Sequence, residues 1–362
     1  MAGNSIGKFF KITTWGESHG NSIGVVIDGV PPGLEISEKD IQEELDRRRP
    51  GQGDLTTARR EKDRVRIMSG VFERKTIGTP LAMMVENSDS RREDYEDLKD
   101  IYRPSHADFT YEKKYGCRNW MGGGRASARE TLARVAAGAV ARRWLAENFS
   151  VEIVAWVHSV HDIVAPEQDV AALTRSAVDT TPVRCPDKKT AKEMEKKIRQ
   201  AKKEGNSLGG VIKLIARGCP AGWGEPVFDK LDAVLAHHLL SIPAAKGVGI
   251  GSGFSAARMK GDQHNDSFIN RNGEIKTETN HSGGIQGGIS NGMPILASVA
   301  FKPVPTINKQ QKTINRAGEE VTLQATGRHD SCVLPRAVPI VEAAAALTLA
   351  DAALCQNAIT PR

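Results

Sequence analysis

Two long segments predict helices with most of their surface buried, and they constrain the fold more than any other feature of the sequence. In the segment 128–148, apolar residues recur at a spacing of three to four positions. The segment 336–354 is rich in alanine and predicts a second buried helix. Together they indicate a sizeable hydrophobic core, which a chain of 362 residues is long enough to enclose.

Between these segments, strands and helices alternate without a regular order. Ser37 suits an N-cap that accepts a backbone N–H, Asp40 suits the first turn of the helix that follows, and Pro50 ends that helix. Further patterns predict strands at 211–216 and 295–301 and a helix at 229–240. A doubly wound parallel sheet would need a regular strand, helix, strand order, which this sequence lacks. We therefore predict an α+β layered fold.

We expect residues 1–362 to form a single domain, because no linker-like stretch or internal repeat divides them. Charged residues make up 26%, hydrophobic residues 39% and aromatic residues 5%, which is typical of a soluble globular protein. No uninterrupted run of about 18 apolar residues is present, so we expect no transmembrane helix. The N-terminus also lacks the pattern of a signal peptide.

The cysteines and histidines indicate the compartment and argue against a metal. The five cysteines are odd in number and far apart, which favours a reducing compartment over a disulfide framework or a CxxC metal site. The nine histidines form no HExxH motif, so zinc chemistry has little support. We predict a cytoplasmic protein without a metal.

The net charge of +6 is consistent with an anionic partner, either a nucleic acid or a small phosphorylated molecule. The segment 186–204 is highly charged and has few large apolar residues, which predicts a solvated helix or surface excursion. It lacks the interleaved aromatic residues on which bases stack, so we expect no nucleic acid. An RNA-binding or scaffold protein is the alternative from another functional class.

The sequence GESHG at positions 16–20 matches the G-x-S-x-G motif of serine hydrolases. In those enzymes a strand turns directly into a helix, and the serine stands at the helix N-terminus. Here the motif is followed by glycine, β-branched residues and two prolines, which predict a strand and then a turn. A hydrolase is therefore disfavoured, and an incidental polar turn stays open.

Other segments combine glycine with charge more densely than ordinary turns do. RRRPGQG (47–53) places three guanidinium groups at a helix end, and the helix dipole accounts for only part of them. GGGRASARET (122–131) lets the backbone approach a ligand and leads into a helix, so it predicts a phosphate or carboxylate cradle. NHSGGIQGGISNG (280–292), GRHDSC (327–332) and RPSHAD (103–108) are the others. Histidines beside glycine or arginine in such segments favour catalysis over a structural role.

Taken together with INRAGEE (314–320), these motifs resemble the chorismate synthase family. GESHG, RRRPG, RPSHAD, GGGRASARET, NHSGGIQGGISNG, INRAGEE and GRHDSC occur in the family's order along nearly the whole chain. The resemblance implies a β-α-β sandwich protomer and a homotetramer. It also implies a lyase that converts 5-enolpyruvylshikimate 3-phosphate to chorismate and phosphate by 1,4-anti elimination, the last shared step of the shikimate pathway toward aromatic amino acids.

The resemblance further implies reduced FMN as a cofactor, although the reaction has no net redox change. The flavin is thought to lend an electron as phosphate leaves and to recover it as the C6 hydrogen is lost. NADPH is a candidate reductant for the flavin. A substrate with one phosphate and two carboxylates calls for several arginine forks, and a histidine can supply a proton near neutral pH.

The family's functional positions carry over to individual residues of this chain. By resemblance, His19 would protonate the leaving phosphate, with Ser18 as a supporting donor. His106 would stabilise the reduced flavin near N1, and Asp330 would act with flavin N5 in removing the C6 proton. The implied flavin contacts are Arg125, Ala126, Ser127, Pro243, Ala244, Gly287, Lys302, Pro303, Val304, Pro305, Thr306 and Arg328. The implied substrate or NADPH contacts are Arg48, Arg49 and Arg129, of which Arg48 matches the NADPH position.

Overall fold

The two long buried helices lie against each other in the middle of the protein. The computed structural model describes residues 3–53, 55, 61–87, 93–324 and 330–360. In these residues the helices are α1 (Glu38–Arg48), α2 (Asp108–Tyr115), α3 (Thr131–Phe149), α4 (Arg175–Asp179), α5 (Lys188–Lys203), α6 (Leu231–Leu240), α7 (Gly261–His264) and α8 (Leu334–Ile359). The segments predicted as buried helices correspond to α3 and α8.

The N-terminal half of the chain builds an antiparallel sheet. In the described residues its strands and an adjoining hairpin are β1 (Ser5–Ile6), β2 (Lys11–Gly16), β3 (Ser22–Asp28), β4 (Val65–Ser69), β5 (Val71–Phe72), β6 (Lys75–Thr76) and β7 (Leu81–Glu86). The sheet order is β1-β2-β3-β7-β4, and β5 pairs with β6. Ile23, Val25 and Ile27 are buried in the core that β3 shares with α3.

A second antiparallel sheet comes from the rest of the chain. The described strands are β8 (Glu152–Val160), β9 (Ile163–Val164), β10 (Gly210–Arg217), β11 (Ala245–Ile250), β12 (Phe268–Arg271), β13 (Glu274–Thr277), β14 (Ile285–Gln286), β15 (Ile289–Ser290), β16 (Ile295–Phe301), β17 (Gln310–Ile314) and β18 (Glu320–Gln324). The sheet order is β11-β16-β10-β8-β9, and β12–β13, β14–β15 and β17–β18 are hairpins. The predicted strands at 211–216 and 295–301 are confirmed as β10 and β16, which pair with each other.

α3 and α8, with α1 and α6 packed against them, form a helical layer between the two sheets. α3 packs on β3 of the first sheet and on α8, while α8 packs on β8 and β10 of the second sheet. A continuous cluster of buried apolar residues includes side chains from both sheets and from these helices. The predicted α+β layered fold, with helices sandwiched between sheets, is confirmed.

The two central helices come very close at Gly138. A Cβ at that position would lie 2.5 Å from Cβ of Ala343, a separation that real side chains do not adopt. The close crossing explains why α8 is rich in alanine, because larger side chains would push the two helices apart.

Ser37 is the N-cap of α1, as predicted, and forms a capping box with Asp40, whose carboxylate accepts from the Ser37 backbone N–H (2.8 Å) and hydroxyl (2.6 Å). Two other predicted helices differ from the structure in detail. The helix predicted from residue 128 begins at Thr131, because 3₁₀ turns at Gly124–Ala126 and Ala128–Glu130 precede it. The charged segment 186–204 forms helix α5, and its charged face is exposed as predicted. Its other face, which includes the fully buried Met194 and Ile198, packs into the protein.

By length and composition α8 would qualify as a membrane span. The sequence prediction of no transmembrane helix considered only uninterrupted apolar runs and did not anticipate this helix. However, 83% of its most apolar window is buried inside the protein. A helix that is apolar around its surface is also what the core of a large globular protein requires. The helix is therefore weak support for a membrane span.

Candidate active site

The GESHG stretch forms a tight turn between two strands. β2 ends at Gly16 and β3 begins at Ser22, so a strand and not a helix follows Ser18. The predicted strand is confirmed, and this turn lacks the strand-to-helix geometry that a hydrolase nucleophile needs. The Glu17 carboxylate accepts a hydrogen bond from Asn119 Nδ2 (2.5 Å), which fastens the turn to the segment before the glycine-rich loop.

His19 is buried at the end of this turn. Ser18 Oγ lies 3.1 Å from His19 Nδ1, and the ring packs edge-on against Tyr95 with 4.9 Å between the ring centroids. Gly122 of the glycine-rich loop passes so close that a Cβ there would lie 2.4 Å from His19 Nδ1. Its φ of +79° also favours glycine, so this glycine lets the backbone approach the imidazole.

The rest of the glycine-rich loop is held by its own side chains. Ser127 Oγ accepts a hydrogen bond from the backbone N–H of Arg129 (3.3 Å). The Arg125 guanidinium turns back to β2, where it donates to Gly16 O (3.0 Å) and to Thr14 Oγ1 (2.7 Å). Arg125 therefore secures the loop against the first sheet.

A buried carboxylate holds His106 in place. Asp108 accepts from Arg103 Nε and Nη2, both at 2.7 Å, and lies 3.0 Å from His106 Nδ1. Burial alone would raise the pKa of Asp108, but Arg103 and His106 hold that pKa well below its usual range. The other ring nitrogen, Nε2, faces the glycine-rich loop, where a Cβ at Gly123 would lie 3.3 Å from it.

Arg48 and Arg129 share one carboxylate. Asp63 Oδ2 accepts from Arg48 Nη1 (3.1 Å), and Asp63 Oδ1 accepts from Arg129 Nη1 (2.5 Å). Glu61 forms a second, very short ion pair with Arg129 Nη2. Burial lowers the pKa of Arg48 to about 10, and the negative charge of Asp63 is the largest influence that opposes it.

Asp330 is linked to Arg48 through Arg336 of α8. Arg336 Nη1 donates to Asp330 Oδ2 (2.5 Å), and Arg336 Nε donates to the backbone carbonyl of Arg48 (3.1 Å). The N-terminal turn of α8 therefore joins the carboxylate of Asp330 to the C-terminal end of α1.

These side chains surround a cavity of about 340 Å³. The predicted site residues on its wall are His19, Arg48, His106, Ala126, Ser127, Arg129, Pro243, Ala244, Lys302, Val304, Pro305, Thr306 and Asp330. The fold therefore brings together residues from widely separated parts of the chain. They come from the β2–β3 turn, the end of α1, the loops before α2 and α3, and the segments before β11, after β16 and before α8.

Other predicted site residues lie elsewhere in the described part of the chain. The partly exposed side chain of Arg49 pairs with Asp46 (3.2 Å) and is not on the cavity wall. Gly287 is exposed in the turn between β14 and β15, and Arg125 and Pro303 are also absent from the wall. Arg328 lies outside the described residues.

The sequence analysis did not single out several residues that shape the cavity. Glu61 and Arg336 are on the wall, and Asp63 lies behind it. In the sequence, Glu61 and Asp63 are marked only by their position inside a basic run, RREKDRVR at 59–66. Acidic residues surrounded by arginines are more readily assigned to a solvated surface than to a buried pair.

The family model named chorismate synthase matches residues 10–354 of this chain. The chain belongs to the chorismate synthase family. It is therefore a lyase of the shikimate pathway, which serves aromatic amino-acid biosynthesis.

Full-length relatives and a solved structure agree with this family. Chorismate synthase from Akkermansia muciniphila is 56% identical over 360 residues, covering 98% of this chain and 99% of the relative. Chorismate synthase from Thermosynechococcus vestitus is 56% identical over 357 residues, covering 98% of both. A crystal structure of a chorismate synthase has a TM-score of 0.77 at 32% identity, covering 96% of this chain and 93% of that one.

Proposed function

We propose that this chain converts 5-enolpyruvylshikimate 3-phosphate to chorismate and phosphate by 1,4-anti elimination, with reduced FMN as a cofactor that is not consumed. One observation carries the proposal: a single cavity is lined by four arginines, two histidines and an aspartate, namely Arg48, Arg103, Arg129, Arg336, His19, His106 and Asp330. A substrate with a phosphate and two carboxylates needs this many positive partners, together with groups that move a proton.

The arginines are the proposed substrate contacts. Each guanidinium offers a planar fork of donors that matches a phosphate or carboxylate. Arg48 is only 1% exposed, which favours a contact with a small substrate inside the cavity over a contact with NADPH, a much larger dinucleotide. We therefore assign Arg48 and Arg129 to the substrate.

The cavity wall also fits a flavin. Ile242, Pro243, Ala244 and Val304 give it an apolar surface suited to a flat ring. At Gly123 a Cβ would crowd His106 Nε2 at 3.3 Å, so glycine keeps that edge of the imidazole open.

The other end of this wall suits the flavin phosphate. Lys302 and Thr306 supply a cation and a hydroxyl there, although burial and then Lys246 lower the pKa of Lys302. We propose that Ala126, Ser127, Pro243, Ala244 and residues 302–306 hold the flavin. Arg125, Gly287 and Arg328 stay predictions from the family resemblance.

Each catalytic residue has a task that its surroundings support. When bound, reduced FMN supplies an electron as phosphate leaves and takes it back as C6 loses its hydrogen. His19, with Nδ1 facing Ser18, donates a proton to the leaving phosphate. His106, with Nδ1 against Asp108, presents Nε2 to the flavin side of the cavity. Asp330, paired with Arg336, accepts the C6 proton.

The test is anaerobic incubation of the purified protein with the substrate and chemically reduced FMN. We expect phosphate release together with the absorbance of chorismate, and no product with oxidised FMN. Absence of product from folded, flavin-bound protein would contradict the proposal. Hydrolysis of a model ester without flavin, abolished in Ser18→Ala, would instead support the hydrolase.

We further propose that the protein works in the cytoplasm as a homotetramer. The widely spaced cysteines support the compartment, and large exposed apolar side chains support the assembly.

Anaerobic mixing of the protein with FMN and NADPH, with no other protein present, tests whether this chain reduces its own flavin.

A further inference from the structure

The carboxylate of Asp63 lies behind the cavity and joins two of its arginines. It accepts Arg48 Nη1 on one oxygen (3.1 Å) and Arg129 Nη1 on the other (2.5 Å). Arg48 is the last residue of α1, and Arg129 lies just before α3. The bridge therefore connects two elements at the point where each presents a guanidinium to the cavity.

Asp63 itself does not reach the cavity. Its side chain is 0% exposed, and it is absent from the cavity wall, whereas both arginines are on that wall. A carboxylate in this position would act on a ligand through the two arginines and not by contact.

The backbone around Asp63 is fixed to α1. Gln42 of α1 donates from Nε2 to Lys62 O (3.3 Å) and accepts at Oε1 from the Val65 N–H (3.1 Å). Asp63 has a φ of +44°, a conformation that residues other than glycine rarely adopt and that surrounding contacts must maintain. The segment is therefore held where the carboxylate meets both guanidinium groups.

The bridge also solves an electrostatic problem. Two buried cations near each other repel, and a buried charge without a counter-charge is strongly destabilising. A guanidinium carries five N–H donors. Arg48 pairs one nitrogen with Asp63 and keeps its other donors. Arg129 also pairs Nη2 with Glu61 and Nε with Asn87 Oδ1 (3.0 Å), so its donors for a ligand are the second hydrogens of its two Nη groups.

We propose that Asp63 is a positioning residue that holds Arg48 and Arg129 at a fixed spacing, so that their remaining donors bind anionic groups of the substrate. This inference rests on the proposed function, since it takes the ligand to be 5-enolpyruvylshikimate 3-phosphate. Asp63 contributes to binding and turnover through the two arginines.

The first experiment compares the wild type with Asp63→Asn, which keeps the size of the side chain and removes its charge. By calorimetry without flavin, we expect the Kd of the substrate to rise at least about 10-fold, and kcat/KM with reduced FMN to fall by a similar factor. The matched control is Glu147→Gln, which removes an exposed carboxylate of α3 whose partner Arg143 lies off the cavity wall. We expect Glu147→Gln to stay within about 2-fold of the wild type in both quantities.

A double-mutant cycle tests whether Asp63 acts through an arginine. Arg48→Lys in the Asp63→Asn background should cost at least about 5-fold less in Kd than Arg48→Lys in the wild type. Effects that simply multiply would overturn the proposal, because a purely structural role of Asp63 leaves the two substitutions independent.

Two further measurements keep the proposal open to refutation. If Asp63→Asn does not fold, Asp63→Glu keeps the charge but displaces the carboxylate by one methylene, and we expect the Kd to rise at least about 5-fold. Inorganic phosphate is a probe that does not depend on the reaction, and its Kd should rise at least about 10-fold in Asp63→Asn even if the wild type forms no chorismate. An unchanged Kd in a folded variant would overturn the positioning role, whereas a wild type that binds phosphate but makes no chorismate would overturn the proposed function.

Discussion

His106 carries the sharpest prediction for a single side chain. Its Nδ1 faces the Asp108 carboxylate at 3.0 Å, and Arg48 and Arg129, the two arginines assigned to the substrate, lie on other segments. His106→Ala should therefore lower kcat by on the order of 100-fold, a usual cost of removing a donor that stabilises charge during a reaction. The Kd of the substrate should stay within about 3-fold, because its anionic groups keep their arginines. Single-turnover kinetics and calorimetry measure the two quantities separately.

His161→Ala provides the comparison. His161 is exposed and pairs with the neighbouring exposed Asp162 (2.7 Å), remote from the cavity wall. It should leave both quantities unchanged. An equal loss of turnover and binding in His106→Ala would contradict the role assigned to His106.

Single residues also show what the sequence could and could not predict. Histidine and arginine beside glycine mark a site by their type alone, and His19, His106 and Arg129 indeed share one cavity. The sequence could not predict where a side chain points, because that depends on its neighbours in space. Arg125, for example, points back to β2 and donates to Gly16 O. The importance of Asp63 could not be predicted, because it depends on two arginines that only the fold brings together.

Among the helices, α6 is joined to α8 by a buried histidine. His238 Nδ1 lies 3.0 Å from Thr348 Oγ1. Burial lowers the pKa of His238 to about 4, with smaller contributions from His237 and Arg134 in the same direction. In the unfolded chain this histidine has an ordinary pKa of about 6.5. Between about pH 4 and pH 6.5 the unfolded chain therefore binds a proton at His238 that the folded chain does not bind.

This difference predicts how stability depends on pH. The contribution of His238 is fully present above about pH 6.5 and is lost as the pH falls toward 4, by up to about 3 kcal/mol. His238→Gln should flatten this part of the profile, measured by urea unfolding at constant protein concentration. His237→Gln, on the exposed neighbour, should keep most of the wild-type slope, because it removes only a minor influence on the pKa of His238. An unchanged slope in His238→Gln would contradict the argument.

The crossing of α3 and α8 gives a prediction about packing. Alanine favours a helix over glycine by about 1 kcal/mol, but a Cβ at Gly138 would meet Ala343 at 2.5 Å. Overpacking costs about 1–3 kcal/mol, so we expect Gly138→Ala to lower the free energy of unfolding. Adding Ala343→Gly should restore part of the loss by returning the space. A more stable Gly138→Ala variant would show that the helices can move apart freely.

For helices and strands, the sequence predicted the type of each element better than it predicted which elements pair with each other. Residue spacing located α3, alanine content located α8, and short apolar patterns located β10 and β16. The order β11-β16-β10-β8-β9 pairs strands that are far apart in the chain, and local patterns carry no signal for such pairing. The late start of α3 follows from the 3₁₀ turns through which the loop approaches His19 and His106.

For the whole molecule, we predict self-association through exposed apolar side chains. Phe228, Phe254 and Ile275 are 92%, 85% and 75% exposed. We predict that sedimentation velocity gives the mass of four chains. Phe228→Ser combined with Phe254→Ser should shift the protein to smaller species, whereas Lys192→Ser on the charged face of α5 should not. A wild type that sediments as one chain would contradict the tetramer.

The most direct test of the central claim is the stoichiometry of the reaction under anaerobic conditions. Chorismate, phosphate and the redox state of the flavin are followed together while a limiting amount of reduced FMN meets excess substrate. We predict one phosphate for each chorismate, many chorismates for each flavin, and a flavin that is still reduced at the end. Phosphate without chorismate, or one flavin oxidised for each product formed, would contradict a flavin-assisted elimination in this cavity.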